Sequence, residues 1–307
     1  AVTTAKIADD NVTAAKISNN EDFTINSVTV GKGANSVTRN TVLGESALDA
    51  AVTGGDNTAI GALTLTLNTS GAYNTAVGSA ALDANTTGGT NVAIGQGSLS
   101  SNTTASNNTA VGSGSMNQNT TGPNNTAVGY NALTANTDGS YNTALGDRAC
   151  YTQTSAGYNT GVGHAALYAN TTGGSNVATG ALALDANTTG GNNTAVGVST
   201  LGANTTASDN TGVGRSALAA NTTGTRNTAV GSYALDANTT ASDNDAFGSY
   251  ALSDNTTGTR NVGLGRSALQ SNTTANDNTA VGHEALKVNT TGDLNTAVGS
   301  YAMQNSV

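Results

Sequence analysis

The sequence predicts an all-β fold, a parallel β-solenoid of sixteen 17-residue coils, and three observations carry that expectation. The pattern N-T-A-V-G-x-x-A-L-x-A-N-T-T-G-x-x recurs every 17 residues from Asn40, without an insertion, as fifteen full copies and a truncated sixteenth beginning at Asn295. Each copy is dense in Asn, Thr and Gly, which resist helix interiors through backbone competition, χ1 stiffness and entropy. Finally, Leu, Ile, Val and Phe make up only about one residue in six of 307, too few to fill one large globular core. A unit this short buries nothing alone, so the copies must stack, at about 4.8 Å per coil, into a rod on the order of 75 Å long.

Composition removes several classes. The chain has a net charge of −9, only 9% charged residues and ten scattered Lys and Arg, which argues against a nucleic-acid partner. Glycine is abundant at 39 residues, but it lacks a three-residue period and proline occurs once, which excludes collagen. No run of 18 apolar residues offers a membrane span. A single cysteine leaves the redox compartment open.

The elements follow in order. Residues 1–39 form an N-terminal lead-in that caps or joins the solenoid. It contains a ten-residue repeat, VTTAKIADDN followed by VTAAKISNNE, and the 14-residue segment NSVTVGKGANSVTR from Asn26 to Arg39. Residues 40–307 form the solenoid. Within each coil the T-A-V-G segment reads as a strand, with the fourth-column Val (Ile60, Val77, Ile94) on one face and a small residue in the third column. The fifth column is Gly in all sixteen copies, Gly44 to Gly299, which marks a corner needing positive φ or close backbone approach. The ninth column is Leu in most copies, with Met116, Cys150 and Met303 as apolar substitutes. Asn never varies in the first column and nearly always fills the twelfth, a pattern suited to stacked hydrogen-bonded ladders. The sixth, seventh, tenth, sixteenth and seventeenth columns vary and face solvent or a partner. In the seventeenth, Asp209, Arg226, Asp243, Arg260 and Asp277 alternate in sign over successive copies, so stacking sets opposite charges side by side.

Two sizeable apolar columns per coil, Val and Leu, exceed what a thin interior needs. One fills it and the other is left for an interface, which points to a homo-oligomeric rod, most simply a homotrimer. The competing geometry points both columns into one flattened coil. The chain starts at Ala1 without an initiating Met and stops thirteen residues into a coil, so a processed chain or a fragment, with further protein beyond Val307, is expected.

NSVTVGKGANSVTR resembles the 14-residue head repeat of YadA-like trimeric autotransporter adhesins. The 17-residue NTAVG-x-x-AL-x-ANTTG unit is similar to repeats in bacteriophage tail fibres, and AKIADDNVTAAKI looks like the leading part of such fibres. Together these cover nearly the whole chain. The resemblance implies a left-handed parallel β-roll in a homotrimer, exposed on a virion or a cell surface, joined to other tail or fibre proteins at its ends and used to reach or bind a host. The 17-residue spacing departs from the adhesin pattern and no membrane anchor is visible, which favours the phage fibre over a bacterial adhesin head.

Catalysis needs unlike groups converging on a point, whereas this sequence distributes like groups along a line, so no enzyme, cofactor or metal site is expected. His164 and His283 share the sixth column seven coils apart, too far to hold one metal. Cys150 takes the Leu column and reads as a small buried hydrophobe. The candidate contact residues are Tyr233, Tyr250 and Tyr301 in the seventh column and Tyr151 and Tyr168 in the tenth. They suit either a host glycan or protein, or packing over neighbouring coils. An ice-binding solenoid is a further reading, with N-T-T columns such as Asn85-Thr86-Thr87 as a flat Thr array.

Overall fold

The N-terminal edge of the solenoid is covered before its first coil closes. In the computed structural model, which describes residues 22–305, strands β1 (Phe23–Ile25) and β2 (Val28–Gly31) form an antiparallel hairpin with Phe23 opposite Val30. Its two-residue turn is Asn26-Ser27, with φ of 48° and 69°, as tight hairpin turns require. A single-turn 3-10 segment, Ala34–Ser36, leads into β3 (Thr41–Gly44), which pairs antiparallel with β2. The Ala34 N–H also reaches the Leu48 carbonyl at 3.1 Å. The lead-in therefore joins and covers the first coil, but its 14-residue segment runs against the stack and is not a further parallel coil. The ten-residue repeat lies outside the described residues.

From β3 onward one short strand recurs per coil, β4 (Thr58–Ile60) and β5 (Thr75–Val77) through β18 (Thr296–Val298), completing an 18-stranded sheet. Neighbours pair parallel and in register, each residue against its own copy, as in Thr58 with Thr75, Ala59 with Ala76 and Ile60 with Val77. Outside the strands the rungs continue through backbone bonds. The N–H of Leu82 donates to Ser98 (3.1 Å) and that of Thr86 to Thr103 (2.9 Å) in the next coil, while that of Gly78 donates back to Ile60 (2.8 Å).

The interior is thin. Alanines of the third column, such as Ala59, Ala76 and Ala93, and those of the eighth, such as Ala81 and Ala132, are wholly buried beside the ninth-column leucines. Strand alternation decides the rest: with the third column inward, the second and fourth point outward. Ile94 is 40% exposed and Leu264 47%, so the Val column is an outer face and the flattened coil with both columns inside is not formed.

Both Asn columns are buried and hydrogen-bonded to their own copies. In the first column the backbone N–H of Asn74 donates to Asn57 Oδ1 at 3.0 Å, and Asn74 Nδ2 donates across the coil to the Gly88 carbonyl at 2.9 Å. In the twelfth, Asn85 Nδ2 donates to Asn68 Oδ1 at 2.8 Å and to that same Gly88 carbonyl at 2.9 Å. Each fifteenth-column carbonyl thus ties two ladders together. Buried amides left without partners would each cost about 1–3 kcal/mol, so the ladders make the thin interior tolerable.

The corners take left-handed backbone. From Gly61 onward the fifth-column glycines have φ near 130°, and a Cβ at Gly163 would lie 2.7 Å from the Gly180 carbonyl, so no side chain fits there. The seventh, ninth and seventeenth columns adopt positive φ with ordinary side chains, for example Tyr233 (59°), Leu82 (53°) and Tyr73 (61°). Each costs on the order of 1 kcal/mol, which the stacked neighbours hold in place.

The seventh coil breaks the twelfth-column ladder. Gln153 replaces Asn, and its longer side chain sends Oε1 toward Asn159 Nδ2 (3.0 Å) and Asn170 Nδ2 (3.3 Å), while Nε2 donates to the Ala156 carbonyl (3.1 Å). No donor reaches back, and Asn136 Oδ1 is left buried without a partner. Gln153→Asn restores that bond and raises stability by about 1 kcal/mol in chemical denaturation; an unchanged or lowered midpoint contradicts this.

Candidate functional site

Three surface features are built by the coil. The first is the outer sheet face. Its second column is Thr in most copies and its fourth is Val, Ile or Leu in most. Over sixteen coils these two columns hold one charged residue, Asp245, next to the exposed Phe247. All other charges of the coils lie elsewhere on the perimeter. The result is a strip of methyl and hydroxyl groups running the length of the rod, interrupted by a single charge at Asp245.

The second feature is the set of tyrosines. Tyr233 stacks on Tyr250 with centroids 5.3 Å apart and planes 12° from parallel, and Tyr151 stacks on Tyr168 at 5.2 Å and 10°. Tyr301 meets His283 edge-on at 5.1 Å. The coil spacing thus turns ring faces toward each other along the column, and the five residues form separate pairs in two columns rather than one site. A sixth and seventh aromatic, Tyr141 and Tyr158, stack at 5.1 Å in the seventeenth column. The 17-residue interval between them is the signal in the sequence, in a column otherwise read only for its charges. Both are more than half exposed.

The third feature is the charged seventeenth column. Arg226 clamps Asp243 through Nε (2.7 Å) and a terminal nitrogen (3.0 Å), and Arg260 clamps Asp277 likewise (2.7 and 2.8 Å). These guanidiniums hold both carboxyls below the usual aspartate range. Arg39, in the lead-in, makes the same contact with Asp56 at 2.6 Å. Each Arg takes the Asp of the following coil, whereas Asp209 accepts from Asn192 Nδ2 instead (3.1 Å). All are exposed and contribute little stability individually.

The remaining chemically capable groups do not converge. Among the described residues, no three His, Cys, Asp or Glu side chains form a metal-holding group, and no helix is long and apolar enough to cross a membrane. His164 Nε2 lies 3.3 Å from Asp147 Oδ2 in the preceding coil. Cys150 is fully buried, and burial pushes its thiol up to about 12, leaving it protonated and unreactive. In the N-T-T columns Asn85 is buried, half-buried Thr86 donates its hydroxyl to the Thr103 carbonyl at 3.0 Å, and Thr87 is exposed on a bend.

No family model matches the chain, and neither does any curated protein or solved structure. Its function is therefore argued from these surfaces.

Half-buried tenth-column aspartates add a pH response. Burial raises the carboxyls of Asp83, Asp185 and Asp236, and Asp83 Oδ1 is enclosed without a hydrogen-bond partner. A folded-state pKa above the unfolded one means the native state binds the proton more tightly, so ionisation at neutral pH opposes folding. Asp83→Asn is expected to raise the denaturation midpoint slightly at neutral pH, with the gain vanishing in acid once Asp83 is protonated. A lower midpoint at neutral pH, or a gain independent of pH, contradicts that assignment.

Proposed function

We propose that the chain is a structural fibre protein, the shaft of a virion tail fibre that holds a host-attachment structure away from the particle, and that it works as a homotrimer. The observation that carries this reading is the outer sheet face, which holds a single charge, Asp245, over sixteen coils. A strip only two side chains wide and on the order of 75 Å long fits a partner as straight and as long as itself, and a second and third copy of the same rod meet that condition in register. Packing three such faces together removes the exposed Val, Ile and Leu side chains of the fourth column from water and leaves the variable columns outside.

The rest of the molecule agrees with a mechanical role. Its polar and titratable groups repeat along a line, its interior is specified by self-matching columns, and its length is set by the number of coils. Other tail or fibre proteins at the ends, and a location on the virion surface, belong to the same proposal. The alternative is a bacterial adhesin head, which shares the repeat architecture; the 17-residue spacing favours the fibre over it.

Light scattering on the purified chain tests this reading. The expected mass is three times the 29.9 kDa of one chain, in elongated particles. Val128→Asp combined with Val196→Asp, both on the outer face, is expected to give monomers with an unchanged circular dichroism spectrum. A monomeric parent chain at micromolar concentration, or a double variant that stays trimeric, overturns it.

A further inference from the structure

The sixth and seventh columns of the last six coils carry one cationic or aromatic side chain per coil: Arg215, Tyr233, Tyr250, Arg266, His283 and Tyr301. The backbone explains why they form one line. The seventh-column N–H donates to the sixth-column carbonyl of the coil before, as from Tyr233 to Arg215 (3.0 Å) and from Tyr301 to His283 (2.8 Å), so a side chain in one column sits over its neighbour in the other. From Arg215 to Tyr301 the line spans five coil steps, about 24 Å.

Two properties mark this line. Arg226 and Arg260, in the seventeenth column, are each clamped to an aspartate, whereas exposed Arg215 and Arg266 make no ion pair among the described residues. Arg215 lies instead over the Tyr233 ring at 5.5 Å, which holds its guanidinium in place with its donors unused. The one acid in the line's two columns here, Glu284, is engaged by Lys287 at 3.1 Å. In addition, the phenol hydroxyls of Tyr233, Tyr250 and Tyr301 make no hydrogen bond among the described residues, while Tyr233 is engaged by Arg215 and by Tyr250, and Tyr301 meets His283 at an edge.

We propose that this line is a binding stripe for a linear acidic polysaccharide, one bearing carboxylate or sulfate groups. The two guanidiniums, three coils or about 14 Å apart, take anionic groups in fork geometry, and the phenol hydroxyls between them bond sugar hydroxyls. Single-stranded nucleic acid fits poorly. Its phosphates are denser than two fixed cations on a chain of net charge −9, and Tyr233 is already engaged by Arg215 and Tyr250. This activity goes beyond the shaft role and needs only one chain.

Binding is read on the full chain from the change in tyrosine fluorescence, which no tryptophan masks. The probes are polygalacturonate, chondroitin sulfate, neutral dextran and a single-stranded oligonucleotide. At least one of the two acidic polysaccharides is expected to bind, which identifies the anion, and dextran at least tenfold more weakly. Arg215→Ala with Arg266→Ala is expected to weaken binding at least tenfold with an unchanged melting curve, and added salt to weaken it progressively. Arg226→Ala, in the seventeenth column and clamped to Asp243, is expected to bind as the parent does. Equal binding of dextran, no binding of either acidic polymer, full binding by the double variant, or tighter binding of the oligonucleotide overturns the proposal. None of these outcomes bears on the mass measurement that tests the shaft.

Discussion

Two buried asparagine amides per coil, in an interior only one leucine thick, are the constraint on which the rest of this molecule depends. A buried amide with no partner is expensive, and a coil this small has few partners to offer. The solution is translation: Asn57, Asn74 and Asn91 each accept at Oδ1 from the backbone N–H of the next copy, and Asn85, Asn102 and Asn119 each donate a side-chain N–H to the copy before. Because each residue's partner is itself one coil away, the spacing must stay at 17 residues, and an insertion would orphan both ladders at once. The corner glycines impose the same rule from the steric side, since each corner lies against the carbonyl of the next.

That constraint also explains the surface. Once the third column, the eighth, the leucines and both Asn columns are inside, the second and fourth columns have to face out, and stacking turns every choice there into a stripe. A residue repeated at 17 becomes a continuous face, as the Thr and Val columns do. A residue repeated twice becomes a stacked pair, as at Tyr141 and Tyr158 or Tyr151 and Tyr168. Alternating charge becomes a row of one-directional clamps, Arg226 to Asp243 and Arg260 to Asp277. Function in such a molecule resides in lines along the rod, and both the long outer face and the Arg–Tyr stripe are lines of this kind.

Much of this was legible in the sequence because self-matching columns announce their own roles. Invariant Gly from Gly44 to Gly299 requires a special corner, and invariant Asn requires a ladder. What stayed hidden depends on direction or on side-chain length. A 14-residue strand pattern carries no sign of whether it runs with or against its neighbour, although Asn26-Ser27 was a turn signal. In the N-T-T columns the burial of Asn85 and the Thr86 hydroxyl's bond to the next coil depend on side-chain direction, which repetition alone does not announce. The break at Gln153 turns on one methylene, and the tyrosine pairs show that rings at coil spacing cover one another's faces.

The central claim is that the coil is a translatable unit whose order comes from its copies. Small-angle scattering on a chain lacking residues 159–243, five whole coils, tests it most directly, because Tyr158 is then followed by Asn244 in unbroken register. The expected result is a folded rod of unchanged cross-section, shorter by about 24 Å. An unfolded chain, or a folded one whose length does not fall with the coils removed, would contradict the account.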